Sequence, residues 1–452
     1  MKSLAADPAG RPPSAAPAGA DFEIRVESSC LTGFVGAGEK VQIRATALLD
    51  GRPIPPGYVM HVTLGKDGNV PRTKTIPAER GYSASLLLDE PGWAYVVFQL
   101  RDPEKADAAL LLKDGRTTAG TGIILDPHTI RPARPEPADF DAFWSANRAE
   151  LAETPLAVLE RRPVPPPADA EEAVACFDVK LACAGPKPVS GYLCVPRGKG
   201  GKYPVILCVD GAGVHDSGKL AFPGAVTLTI NAHGIDNGRP EPFYRNLEQG
   251  ALKGYPLFGA DDRSTIYFKY MFLRVLRALE YLKILPEWNR RDIVVRGGSQ
   301  GGAQALFGAA MDRDVTLAVT SVPAMCDFAG CFASPRRTGG WPRPYGPDGK
   351  DSPRWRAWDY YDCVNFARRI TCRTFVSAGL ADTTCPPTSV FCMFDALAAK
   401  EKHIETHRDM GHFARNDAGS AALEELCRSA GRMIMKPDSR SISRKENETA
   451  KH

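Results

Sequence analysis

The sequence predicts an all-β sandwich followed by an α/β domain, the latter a mostly parallel sheet flanked by helices. Three observations carry this. Residues 21–126 read as short alternating apolar and polar runs broken by turn residues. From about Ala173 apolar strand-like runs alternate with helix-period segments. The 452 residues also exceed one ordinary domain.

Taken in order, residues 1–20 are rich in Ala, Pro and Gly and lack the continuous apolar core of a signal peptide. They read as a flexible leader. The chain as written favours the cytoplasm, and periplasm or secretion if a signal was trimmed. In the sandwich (21–126), FEIRVES, KVQIRATAL, YVMHVTLG, YSASLLL, WAYVVFQL and GTGIILD are the strands. Asp50-Gly51, Lys66-Asp67-Gly68 and Pro91-Gly92 supply turns, and His61 is a sheet residue. This block is structural or positions substrate. A Pro-rich connector and helix (127–160) follow, with Asp139 as cap and Phe140, Phe143, Trp144 and Leu151 as anchors between domains. The catalytic domain spans 161–436, and the polar tail 437–452 is expected to be disordered.

Composition excludes several functions. With 57 basic and 53 acidic side chains the net charge is +4, too balanced to point to nucleic acid. No apolar run is long enough to span a bilayer. The 12 cysteines form no CxxC pair and mostly sit in apolar runs, so buried thiols and no metal site are expected. A short-range Cys326–Cys331 bridge stays open.

The chemistry is carried by Gly297-Gly298-Ser299-Gln300-Gly301, between an apolar strand and a helix. In that setting G-x-S-x-G is the nucleophile elbow of the α/β-hydrolase fold, a strained turn that needs small neighbours. A serine hydroxyl requires a base. Of 8 histidines, His412 alone follows the last strand on a loop, after Gly411, whereas His403 and His407 lie within that strand. The acid should close a strand between the two, and Asp382 does so before Cys385-Pro386-Pro387. Asp359 and Asp362 compete by order but sit in an aromatic stretch. Backbone N–H groups of Gln300 and of Ala212, in Asp210-Gly211-Ala212-Gly213, are the expected oxyanion donors. Trp341, Trp355 and Trp358, in the insertion between the serine and aspartate strands, are candidates to stack on a sugar.

RGGSQGG, VPAMCDF, WDYYDCVNFARRITCRTFVSAGLADTTCPPTSVF and the final GHF closely resemble the acetyl xylan esterase and cephalosporin C deacetylase group, carbohydrate esterase family 7. The resemblance covers roughly Ala173 to Ile434 and is strongest from Tyr267 to His412. It implies removal of acetyl groups from sugar hydroxyls or small esters, with Ser299, Asp382 and His412 in the same roles. It implies no cofactor, a small-molecule or oligosaccharide acetyl ester as partner, and leaves room for an oligomer. The chain departs from the family pattern in two motifs and in its extra N-terminal sandwich, which the compact members lack and which could block their ring-like oligomers. DGAG stands where a His-Gly-aromatic-Gly turn is usual, and Ala232-His233-Gly234 stands in place of Arg-Gly-Gln. Two rivals are weaker: a prolyl oligopeptidase-type peptidase, which needs a longer propeller in front, and a non-catalytic carbohydrate-binding protein, which would not be expected to keep all three site residues.

Overall fold

The computed structural model describes residues 20–102, 109–198, 200–344 and 349–434. Residue 20 apart, the expected leader lies outside the described residues, as does the expected tail 437–452.

The first block contains β1 (Phe22–Ser28), β2 (Phe34–Val35), β3 (Val41–Leu49), β4 (Arg52–Pro53), β5 (Val59–Lys66), β6 (Arg72–Pro77), β7 (Tyr82–Leu86), β8 (Gly92–Arg101) and β9 (Ala119–Leu125). One sheet has the order β1-β3-β4 with β7 also on β3; the other runs β2-β9-β8-β5-β6. Period-2 alternation makes the core between them, with Val41, Ile43 and Ala45 of one sheet against Val62, Val96 and Phe98 of the other. Sequence patterning misses β6 because RTKTIP is an exposed strand with no buried position to alternate with.

The second sheet is built from β10 (Val158–Val164), β11 (Val174–Leu181), β12 (Val189–Pro196), β13 (Tyr203–Val209), β14 (Val226–Ile230), β15 (Trp288–Gly298), β16 (Leu317–Ser321), β17 (Arg373–Gly379) and β18 (Lys402–His407). Its order is β10-β11-β12-β14-β13-β15-β16-β17-β18. The pairings from β10 to β14 through β11 and β12 are antiparallel and the rest are parallel. Strand β10, which straddles the expected boundary between connector and catalytic domain, is illegible for the same reason as β6: VLERRPV has no fully buried residue.

Helices α1 (Phe140–Ala152), α2 (Glu241–Gln249), α3 (Phe268–Ile284), α4 (Gln300–Met311), α5 (Pro353–Trp358), α6 (Cys363–Ala367), α7 (Pro387–Ala396) and α8 (Asp417–Ile434) complete the domain. Along β13, Val205, Leu207 and Val209 face the core shared with α1, α3, α4 and α6, while Ile206 and Cys208 face α8. A strand buried on both faces reads as a continuous apolar run, as VILCV does. The helix α1 corrects one expectation. Trp144 packs against Phe272, Phe307 and Phe366 of the α/β domain's core and donates to the Tyr360 carbonyl at 3.0 Å, so it anchors within that domain rather than between two. No described helix is long and apolar enough to cross a membrane.

The cysteine expectation also needs correction. Cys176 and Cys194 are disulfide-bonded, because β11 and β12 are antiparallel neighbours whose register sets the two residues directly opposite. Cys326 and Cys331 are both free.

The sandwich is clamped onto the end of the parallel sheet. Trp93 Nε1 donates to the Leu380 carbonyl at 2.6 Å, in the loop after β17. The Gly122 N–H donates to the Arg408 carbonyl at 3.1 Å, in the loop after β18. A Cβ on Gly122 would lie 1.8 Å from the Leu380 oxygen, so only glycine permits this approach. Buried Asp67, in a sandwich turn, accepts from the Thr338 N–H at 2.7 Å and the Thr388 hydroxyl at 2.6 Å. Burial holds its carboxyl above the ordinary range. Trp93→Phe keeps an aromatic ring, smaller than the indole, and leaves the Leu380 carbonyl without its donor. It is expected to lower stability by about 1–3 kcal/mol, measured by urea unfolding; an unchanged midpoint would show that the bond carries no stability.

Candidate active site

Ser299 ends the approach from β15 and precedes α4, with φ 55° and ψ −122°. For a residue with a Cβ this is strained, and the surroundings hold it. The Ser299 N–H donates to the Ser321 carbonyl at 2.9 Å, and its carbonyl accepts from Ala303 at 3.1 Å and Ala324 at 3.0 Å. The flanking glycines are required by contact. A Cβ on Gly297 would lie 2.4 Å from the Gly301 oxygen, and one on Gly301 would lie 2.3 Å from the Val209 oxygen.

His412 lies on the loop after β18 and Asp382 on the loop after β17. His412 Nε2 is 2.9 Å from Ser299 Oγ and Nδ1 is 3.0 Å from Asp382 Oδ2. Asp382 is fully buried, and its other oxygen accepts the N–H groups of Thr384 at 2.8 Å and Cys385 at 2.9 Å. That fixes the carboxylate's orientation. Burial lowers the His412 pKa, but the charge and hydrogen bond of Asp382 outweigh it and hold the imidazole above its ordinary range. The pair therefore favours a protonated imidazole at His412.

Three of the sequence candidates thus meet in one hydrogen-bonded line. Asp359 and Asp362 are elsewhere: Asp359 pairs with Arg134 at 2.9 Å, and Asp362 accepts the N–H groups of Asp327, Phe328 and Val364. Gln300 is the first residue of α4, where a helix leaves its N–H groups without intrahelical partners. Ala212 is exposed on the loop after β13. The tryptophans need correction. Trp358 is fully buried, bonded to the Ala260 carbonyl at 3.1 Å and packed edge-on to Phe268 and Phe328, so it has no face for a sugar. Trp341 is half-buried edge-on to Phe268. Trp355, though buried, lines the cavity beside His412.

Sequence reasoning missed the braces of the Asp210–Gly213 loop. His233 Nε2 donates to the Gly213 carbonyl at 2.9 Å, and its Nδ1 accepts from the Tyr267 hydroxyl at 2.8 Å. Tyr255 donates to Gln300 Oε1 at 2.6 Å and receives the Gly213 N–H at 3.4 Å. Gln300 and Gln304 reach back to the carbonyls of Gly211 and Asp210 at 3.3 and 3.1 Å. The only sequence signal was that His233 stands where the family pattern differs. Buried Cys385 carries no motif of its own in the sequence, yet its Sγ lies within 4.8 Å of a carboxylate oxygen of Asp382 and a ring nitrogen of His412. Burial raises its pKa, so the thiol stays protonated.

A cavity of about 1410 Å³ opens beside His412. Its other wall is the sandwich, through Thr63, Tyr95, Val97 and Gln99.

Residues 124–423 match the family model described as Acetyl xylan esterase (AXE1). Acetyl esterase Axe7A of Xylanibacter ruminicola is 33% identical over 302 residues, 65% of this chain and 67% of that protein. Among solved structures, the acetyl xylan esterase from Paenibacillus sp. R4 aligns with a TM-score of 0.55 at 26% identity, over 66% of this chain and 97% of its own. Acetyl Xylan Esterase 1 from Thermoanaerobacterium sp. JW/SL YS485 aligns with a TM-score of 0.54 at 20% identity, over 67% and 97% of the two chains. This second likeness speaks to fold alone.

Burial pushes the His233 pKa down to about 4. Between that value and the unfolded value of about 6.5, the unfolded chain binds more protons, so stability falls as pH drops through this window. His233→Gln removes that dependence. The stability lost by the native protein between pH 7 and pH 4, measured by chemical unfolding, should exceed the variant's loss, by at most about 3 kcal/mol. Equal losses would place the proton elsewhere.

Proposed function

Because the chain belongs to the acetyl xylan esterase family and is a carboxylic-ester hydrolase, we propose that it removes acetyl groups from the hydroxyls of an oligosaccharide through an acyl-enzyme on Ser299. The observation that carries the residue assignment is the line from Asp382 to His412 to Ser299 beside a wide cavity.

His412 Nε2 takes the proton from Ser299 as Oγ attacks the acetyl carbonyl carbon. The carbonyl π electrons move onto oxygen, and that oxyanion is held by the N–H groups of Gln300 and Ala212. Asp382, fixed by Thr384 and Cys385, keeps the imidazole in the tautomer that accepts at Nε2 and stabilises its protonated form. Collapse of the intermediate expels the sugar alkoxide, which takes the proton from His412. Water, deprotonated by His412, then attacks the acetyl-enzyme, and acetate leaves as Ser299 regains its proton. The family relation supports the acetyl group. The breadth of the cavity supports a large leaving alcohol.

The test is acetate release from p-nitrophenyl acetate and from an acetylated xylo-oligosaccharide, by the native chain and by Ser299→Ala. Native activity on both substrates, reduced at least about 10³-fold in the variant, is the expected outcome. Release from the simple ester alone would remove the carbohydrate from the reading, and undiminished activity in the variant would remove Ser299.

A further inference from the structure

We propose that the sandwich-facing side of the cavity is a subsite for a carboxylate-bearing sugar of the leaving oligosaccharide, recognised by Arg336 and Arg343. This rests on the carbohydrate reading above and adds to it which glycans are preferred.

The size of the cavity comes first. Pockets that enclose a drug-sized ligand measure about 300–1,000 Å³, whereas this one holds about 1410 Å³. An acetyl group and the sugar that carries it leave much of that space over. The surplus lies against the sandwich. Along β8, Ala94, Val96, Phe98 and Leu100 face the sandwich core, so Tyr95, Val97 and Gln99 face the other way, into the cavity. Thr63 of β5 lies opposite Val97 in register and joins the same wall. Hydroxyl, amide and aromatic groups on one rigid surface suit a sugar, which presents hydroxyls on its rim and C–H groups on its faces. The family match begins at residue 124, so this wall belongs to the part of the chain outside it.

The charges around the cavity then select among sugars. Arg116 is answered by Asp114, Arg337 by Asp327, Arg415 by Asp417, and Asp409 by Arg408. Arg336 and Arg343 also line the cavity, and neither has a carboxylate partner among the described residues. Arg343 spends Nη2 on the carbonyls of Thr383 at 2.7 Å and Thr384 at 3.2 Å, while its Nε is buried with no hydrogen-bond partner. Two guanidinium groups that line one cavity without countercharge call for an anion, and their planar geometry suits a carboxylate. A uronic acid supplies that group on a glycan.

The experiment compares kcat/KM for acetate release from an acetylated xylo-oligosaccharide bearing one glucuronic acid and from its neutral counterpart of equal length. Native enzyme, Arg336→Glu and Arg343→Gln are assayed at low salt and at 0.5 M salt. The ratio between the two substrates cancels any common loss from disturbing the Thr383–Thr384 loop. The expected native ratio is about tenfold in favour of the acidic glycan, falling with salt and towards unity in the variants. A ratio near unity in the native enzyme, or one that both variants leave intact, overturns the subsite. Release from neither glycan while p-nitrophenyl acetate is cleaved overturns the carbohydrate reading, and the subsite with it.

Discussion

The 2.9 Å contact between His412 Nε2 and Ser299 Oγ is the constraint on which the rest of the site depends. The two residues are 113 positions apart and reach each other from the ends of β15 and β18. Two strands, β16 and β17, lie between those two in the sheet. The serine loop and the histidine loop must therefore each be held to a fraction of an ångström. On the serine side the strain at φ 55° is contained by the Ser321, Ala303 and Ala324 hydrogen bonds and by the close approach of Gly297 and Gly301. On the histidine side Asp382 orients the ring, and Asp382 is oriented in turn by two backbone N–H groups.

The sandwich enters at this second point. Trp93 holds the Leu380 carbonyl two residues before Asp382, and Gly122 holds the Arg408 carbonyl four residues before His412. The first block thus bears directly on the loops that carry Asp382 and His412, as well as walling the cavity. The Asp210–Gly213 loop, the proposed source of an oxyanion donor, has braces of its own. His233, Tyr255 and Tyr267 occupy space beside DGAG, and burial keeps His233 neutral, so its two hydrogen bonds have one fixed polarity. The departure at Ala232-His233-Gly234 is therefore a local rewiring of the loop's support.

The features legible in the sequence were those that local physics writes into neighbouring residues. The doubly buried strands β13 and β15, the helix α3 and the glycine-flanked serine were all readable as patterns. Asp382 and His412 were readable because each closes or follows a strand at the expected place in chain order. The edge strands β6 and β10 were not, since an exposed strand has no buried face to impose a period. The Cys176–Cys194 bridge depends on the register of two strands, which neither strand encodes alone. Trp355 and Trp358 looked alike in sequence, and only packing separates the one at the cavity from the one in the core. The clamps at Trp93, Asp67 and Gly122 join residues more than 250 positions apart, a distance over which single-sequence patterning carries no information.

The central claim, that Ser299 is the nucleophile activated by His412, is tested most directly by covalent capture. The protein would be titrated with diethyl p-nitrophenyl phosphate and digested, and the phosphorylated peptide identified by mass spectrometry. The mechanism requires one diethylphosphoryl group per chain, on Ser299, appearing in step with loss of esterase activity, and no such labelling in His412→Ala. An adduct on another residue, or full activity after labelling of Ser299, would contradict it.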